Sequence, residues 1–270
     1  MQNRIDAKFS ELAEKRERAL ICYVVAGYPD TRTSKEVINA LVKGGADIIE
    51  VGIPFSDPIA DGPTIQAASH CALRKGMTPK KALQLVRSVR RRYPDLPLLA
   101  MTYSNILVRA GMERFMYECK QYGLDGLIFP DMPIEEADMY LLTASNFNLA
   151  TVFLVSPNTS EARLRKILAS TTGFLYIVSV YGTTGVRNSF QKYTLNTVRA
   201  VKQASGAKVP VAVGFGISTP AHVKSMIAAG AEAVIIGSAV IDKISDGSRQ
   251  KMIQNLQNFT SSMKKACKNE

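Results

Sequence analysis

Short apolar runs that alternate with amphipathic helical segments predict an α/β fold, a single (β/α)8 TIM barrel in which a parallel sheet closes on itself behind an extra N-terminal helix. Three observations point there. The apolar runs number about eight, the count at which a parallel sheet closes around a side-chain-filled interior. Carboxylates and glycines gather just after those runs, on the side where such barrels carry their chemistry. The chain of 270 residues shows no linker, repeat or low-complexity tract, so residues 1–270 read as one domain.

Taken in order, a polar segment from Asp6 to Arg18 predicts the N-terminal helix, and Leu20 to Ala26 the first strand. Ser34 to Lys43 follows, with Val37, Ile38, Leu41 and Val42 at helical spacing. The second strand is expected at Asp47 to Gly52, a helix at Pro79 to Arg91 and the third strand at Pro97 to Tyr103. Met112 to Tyr122 (helix), Gly126 to Pro130 (strand), Ile134 to Phe147 (helix) and Ala150 to Val155 (strand) continue the alternation. Glu161 to Ala169, Phe174 to Val180, Leu195 to Ala204 and Pro210 to Gly214 repeat it, and Pro220 to Ala229 leads to the eighth strand at Ala233 to Gly237. Asp246 to Lys265 is the last outer helix, and Gly44-Gly45, Gly123 and Gly230 stand where helix C-caps belong.

Composition narrows the function. A hydrophobic fraction of 46% and a charged fraction of 21% are those of a globular chain. No stretch approaches the roughly 18 apolar residues of a membrane span, and the start lacks a signal-peptide core, so a cytoplasmic protein is expected. Cys22, Cys71, Cys119 and Cys267 are far apart with no CxxC spacing, which predicts reduced, mostly buried thiols. With His70 and His222 as the only histidines, a histidine-based metal site is not expected, and carboxylates must carry any acid/base chemistry. The net charge of +11 would suit nucleic acid, an acidic partner or a phosphorylated metabolite. Its basic residues crowd onto helices, as at Arg87, Arg90, Arg91 and Arg92, with few aromatics between them, which favours solvated helix faces over a nucleic-acid surface.

Glu50 lies inside the apolar run Ile48-Ile49-Glu50-Val51, and burial there favours its neutral form and raises its pKa toward the range useful for proton transfer. Asp57 and Asp61 follow in a loop punctuated by Gly and Pro, so several carboxylates converge where one strand ends. The plainer alternative makes Glu50 a satisfied strand-end residue and the aspartates turn formers. After the seventh strand the chain reads Val213-Gly214-Phe215-Gly216-Ile217-Ser218, and after the eighth Ile236-Gly237-Ser238. Glycines there let backbone N–H groups approach an anion, so a phosphate site is expected after strands seven and eight. Neither GxGxxG nor a Walker A loop is present, so the ligand is a small phosphorylated molecule rather than a dinucleotide.

The run from Glu50 through Asp61 to Gln66 resembles the signature of the tryptophan synthase α-subunit family, and Phe129-Pro130-Asp131-Met132-Pro133, Gly182-Thr183-Thr184-Gly185, Gly214-Phe215-Gly216-Ile217 and Gly237-Ser238 match it in order along almost the whole chain. The resemblance implies retro-aldol cleavage of indole-3-glycerol phosphate to indole and glyceraldehyde 3-phosphate, with Glu50 and Asp61 as the catalytic pair. It implies that Tyr23, Ile65, Met101, Phe129 and Phe215 enclose the indole, that Tyr176 lies near Glu50 or the glycerol chain, and that Thr184 contacts Asp61 from a lid over Gly182 to Asn188. The phosphate is expected on Gly185, Gly214, Gly216, Gly237 and Ser238. Ser179 is followed by Val180 where many family members carry arginine, and Arg187 stands further along the loop.

The same resemblance implies no metal and no cofactor in this chain, and a β-subunit partner that uses pyridoxal phosphate and consumes indole in an αββα complex. Contact surfaces are expected near Pro54 to Pro58, where Asp57 would serve, Met101 to Asn105 and Asp131 to Pro133, and the isolated chain is expected to be a monomer of low activity. Two other classes remain at this point. One is another phosphate-binding barrel enzyme, which would not need the Glu50/Asp61 pair. The other is a non-catalytic phosphate-binding barrel or regulator that turns its positive charge toward an acidic partner.

Overall fold

A computed structural model describes residues 2–178, 192–206, 208–214, 216–244 and 248–268 of the chain. Within them, parallel strands close into a barrel in chain order: β1 (Ala19–Val25), β2 (Ile48–Gly52), β3 (Leu98–Met101), β4 (Gly126–Ile128), β5 (Ala150–Val155), β6 (Leu175–Ile177), β7 (Val211–Val213) and β8 (Ala233–Ile236). β8 pairs back onto β1, so no sheet edge is left open. Outside lie α2 (Thr31–Lys43), α3 (Pro63–Arg74), α4 (Pro79–Arg92), α5 (Ser104–Ala110), α6 (Met112–Tyr122), α7 (Asp138–Asn146), α8 (Glu161–Ser170), α9 (Lys192–Ser205), α10 (Pro220–Ala228), α11 (Ser238–Lys243) and α12 (Arg249–Ala266), with α1 (Arg4–Glu14) ahead of the barrel. The (β/α)8 expectation holds.

Caps set the helix limits. Asn3 accepts from the Ile5 N–H at 2.9 Å and starts α1 earlier than its polar pattern suggests, while Arg16 takes a left-handed φ of 55° and stops the chain continuing as helix to Arg18. Asp30 accepts from the N–H groups of Arg32 and Thr33, both at 2.9 Å, so α2 begins before Ser34. Three helices escape the periodicity argument: α3, whose start is buried in a Gly/Pro-rich stretch, and the short α5 and α11. The helix expected over Ile134 to Phe147 is broken into a 3-10 turn (Ile134–Glu136) and α7, because Pro133 starts a turn that Ala137 ends. Ser179, Val180 and the start of the last helix at Asp246 lie outside the described residues. Cys22, Cys119 and Cys267 are buried and Cys71 half-buried, all as free thiols. Among the described residues no helix is long and apolar enough to cross a membrane.

Strand alternation divides the apolar side chains into two layers. Ile21, Ile48, Leu99, Ile128, Val152 and Phe174 point inward and fill the barrel, whereas their neighbours pack against the helices. Ile5, Phe9 and Leu12 recur along one face of α1 and cap the bottom of that interior. The bottom is held by Asp125, whose side chain is only 2% exposed and accepts from Arg90 at 2.6 Å, Arg4 at 2.9 Å and the Leu98 N–H at 2.9 Å. Arg90 spends its remaining donors on the carbonyls of Tyr93, Pro94, Leu96 and Gly123. One buried ion pair thus joins α1, α4, β3 and the turn before β4.

Breaking it leaves an uncompensated buried charge. Asp125→Ala is expected to lower stability by about 3–5 kcal/mol in urea unfolding, whereas Arg4→Ala, removing a half-exposed partner, should cost about 1 kcal/mol or less.

Candidate active site

Glu50 is an inward position of β2, level with Tyr23 on β1 and Leu99 on β3. Its side chain is fully buried, and among the described residues neither carboxylate oxygen has a hydrogen-bond partner. A carboxyl group stripped of water and of donors favours its neutral form. Burial, with a smaller contribution from the charge of Asp61, lifts the Glu50 pKa to about 8.

Asp61 comes to the same chamber from the loop after β2. The loop is braced by its own backbone, with the Asp61 N–H on the Pro58 carbonyl at 3.0 Å and Gln66 donating to the Asp61 carbonyl at 2.8 Å. Tyr103 at the end of β3 donates its hydroxyl to Asp61 Oδ2 at 3.1 Å, accepts from the Ala60 N–H at 3.0 Å and stacks on Phe55. Burial raises the Asp61 pKa to about 6, and the Tyr103 hydrogen bond works against that rise. The two carboxyls therefore separate: over the interval between those values Glu50 keeps its proton and Asp61 is ionised.

The inner walls are aromatic and apolar. The hydroxyls of Tyr23 and Tyr176 are held well above their ordinary pKa by burial, with Asp61 the stronger neighbouring charge at Tyr23 and Glu50 the stronger at Tyr176. Met101, Leu154 and Val178 join this inner face, and Ile65 on α3 approaches Tyr23 beside Gly237. Phe129 is a correction. It follows the inward Ile128 and so faces the helices, where its ring meets Tyr140 edge-on at 5.2 Å. Thr184, Gly185, Arg187 and Phe215 lie outside the described residues.

The glycines expected to hold phosphate have different physical reasons. A Cβ at Gly214 would come within 2.4 Å of the Tyr176 ring, and one at Gly52 within 2.1 Å of the Tyr23 hydroxyl, so both make room for an inward tyrosine. Gly216 has φ of +62°, which a side chain disfavours. At Gly237 a Cβ would meet Tyr23 at 3.5 Å, an ordinary contact, so packing does not demand glycine there. Ser238 follows as the first residue of α11. Sequence reasoning missed Tyr103 as the partner of Asp61, and it missed Ser218, whose buried hydroxyl, close in sequence to Gly216, has no partner among the described residues. The placement of Tyr103 at a strand end was the available signal for the first; Ser218 offered none.

A model of the family described as tryptophan synthase alpha chain matches residues 9–268. The chain belongs to that family. The tryptophan synthase alpha chain of Methanoregula boonei is 42% identical over 268 residues, covering 98% of this chain and 99% of that protein. That of Methanosarcina mazei is 46% identical over 244 residues, covering 90% and 88%. Among solved structures, the alpha chain from Legionella pneumophila superposes with a TM-score of 0.89 at 33% identity, covering 99% of this chain and 98% of that one. The tryptophan synthase complex from Pyrococcus furiosus gives a TM-score of 0.84 at 37% identity over 92% of this chain and 98% of that one. Members of this family are carbon–carbon lyases acting on indole-3-glycerol phosphate.

The burial of Glu50 has a thermodynamic signature. Its folded-state pKa of about 8 lies above the ordinary 4.5, so the folded chain holds the extra proton and loses stability as pH rises between those values. Glu50→Gln removes this dependence. Its stability relative to wild type should climb from pH 4.5 to a plateau above pH 8, a rise on the order of 5 kcal/mol, read by thermal unfolding across that range; a difference that does not vary with pH would contradict the burial argument.

Proposed function

We propose that Glu50 and Asp61 carry out the lyase reaction of this family, and that one domain formed by residues 1–270 suffices for it. The observation that bears the most weight is Glu50 itself, fully buried, without a hydrogen-bond partner among the described residues, and within the field of Asp61. A non-catalytic barrel would gain nothing from such a group.

The chemistry follows from the two protonation states. Neutral Glu50 gives its proton to indole C3, which makes the ring an electron sink and places positive charge at the indole nitrogen. Ionised Asp61, held by Tyr103, accepts the indole N–H and stabilises that charge. Glu50, now a carboxylate, takes the proton of the hydroxyl on the adjacent chain carbon. The bond between that carbon and C3 breaks, its electrons return to the ring as indole, and the chain leaves as glyceraldehyde 3-phosphate with Glu50 again neutral. Tyr23, Ile65, Met101 and Tyr176 enclose the ring, with Thr184 and Phe215 in the same reading, while Phe129 acts only from behind the wall. Gly185, Gly214, Gly216, Gly237 and Ser238 receive the phosphate through backbone N–H groups and one hydroxyl.

The partner in this reading is a pyridoxal-phosphate β subunit, in the cytoplasm, that takes the indole directly. In Pyrococcus furiosus, tryptophan synthase forms an a2b2 complex that shows mutual activation. On this chain Ile59, 83% exposed, and Val108, 75% exposed, offer apolar side chains beside the loops at Pro54 to Pro58 and Met101 to Asn105.

Indole release from indole-3-glycerol phosphate tests the proposal. Glu50→Gln should lower turnover by about 10²–10⁴-fold and Asp61→Asn by about 10²–10³-fold, with wild type accelerated by added β subunit; full activity in Glu50→Gln would overturn it. The pH profile of kcat/KM should fall below about 6, as Asp61 gains a proton, and above about 8, as Glu50 loses its own, with both limbs belonging to the coupled pair. Loss of the alkaline limb in Glu50→Gln, leaving an acid limb alone, would accompany the assignment.

A further inference from the structure

α4 carries a dense run of positive charge on its outer face. Its sequence, Pro79-Lys80-Lys81-Ala82-Leu83-Gln84-Leu85-Val86-Arg87-Ser88-Val89-Arg90-Arg91-Arg92, contains six basic residues and no acid. Only Arg90 turns inward to Asp125. Lys80, Gln84, Arg87 and Arg91 fall at i, i+4, i+7 and i+11, a single stripe that runs about 16 Å along the helix. Among the described residues Lys80, Arg87, Arg91 and Arg92 have no ion pair. On α9 and α12, which likewise lack acids, Lys202, Arg249 and Lys264 reach Glu232, Glu36 and Asp47 on neighbouring segments, so fewer of their basic residues are left without an ion pair among the described residues.

The sequence argued against a nucleic-acid surface because few aromatics separate these arginines, but folding supplies them. Tyr122, from the end of α6, lies under Arg87 with the guanidinium carbon 5.9 Å from the ring centre, and Tyr93 lies 5.7 Å from Arg92. Gln84, Arg87, Ser88, Arg91 and Tyr122 line an open cavity of about 240 Å³ between α4 and α6. Unpaired guanidinium groups recognise phosphate through forked donors, and tyrosine faces accept stacked bases without regard to sequence. An acidic protein surface would use the charge but not the rings. Tyrosine rings beside the basic stripe suit a single strand, whose bases are free to stack, better than a duplex, whose bases are already paired and stacked.

We propose that the outer face of α4 is a docking surface for single-stranded nucleic acid, its phosphates held by Lys80, Arg87, Arg91 and Arg92 with a base beside Tyr122. The surface is separate from the carboxyl chamber, so binding and lyase activity are independent readouts. Four phosphate contacts on a single strand predict a log–log salt slope near −2.8, or a roughly fiftyfold loss of affinity between 50 and 200 mM salt.

The test is fluorescence anisotropy of a labelled 20-nucleotide mixed-sequence strand, as RNA and as DNA, with the full chain at both salt concentrations. Arg87→Gln/Arg91→Gln should weaken binding at 50 mM salt at least tenfold and reduce the slope by about 1.4, and Tyr122→Leu should weaken it with the slope unchanged, while lyase activity stays at the wild-type level in both. Lys251→Gln/Lys265→Gln on α12, which removes the same charge elsewhere, should bind as wild type. No binding of either strand at 50 mM salt overturns the proposal, as does an equal loss in the α12 variant. Displacement by polyglutamate at the same concentration of charge would assign the face to an acidic protein instead and also overturn it.

Discussion

Everything that distinguishes this barrel from an inert one depends on holding a carboxyl group in its dry interior. Glu50 sits where strand alternation turns it inward, among side chains that offer it no hydrogen bond. Such a group is costly in its ionised form, and the fold tolerates it because the proton stays on. The neighbouring residues follow from that arrangement. Gly52 is bare because Tyr23 reaches across its position, and Gly214 is bare because Tyr176 does the same from the other side. Asp61 is less deeply buried than Glu50 and has Tyr103 as a donor, and together these differences give two carboxyls in one chamber different protonation states.

The barrel separates stability from chemistry along its axis. At the bottom, α1 closes the interior with Ile5, Phe9 and Leu12, and Asp125 ties its first turn to α4 and the start of β3. Every polar group in that knot has a partner: Asp125 accepts three hydrogen bonds, and Arg90 is spread over four carbonyls besides. At the top the pattern reverses, with Glu50, Thr102 and Ser218 carrying buried polar atoms that have none among the described residues. Unsatisfied groups at one end and a saturated network at the other are what a scaffold needs when one face must stay rigid and the other must receive a ligand.

Arg90 also shows how one helix serves two surfaces. It stands among Arg87, Arg91 and Arg92 in the chain, yet helical geometry turns it toward the core while its neighbours face outward. The inward arginine is neutralised, and the outward ones remain as uncompensated charge beside tyrosine rings. The positive balance of the whole protein, +11, is therefore not evenly spread.

The sequence by itself determined the barrel, the positions of its strands and most outer helices, and the nomination of Glu50 and Asp61, because apolar periodicity and a carboxylate inside an apolar run are local signals. The family signature in the run from Glu50 to Gln66 added the reaction. Short helices such as α5 and α11 were illegible because they hold too few residues to establish a period, and α3 because its start looks like a turn. Only tertiary structure decided which residues face the chamber: it turned Phe129 away, brought Tyr103 onto Asp61, explained Gly214 by the Tyr176 ring and laid Tyr122 against Arg87. Each of these depends on partners distant in the chain or on the phase of a strand within the closed sheet, and neither can be read from a run of residues before the barrel has closed.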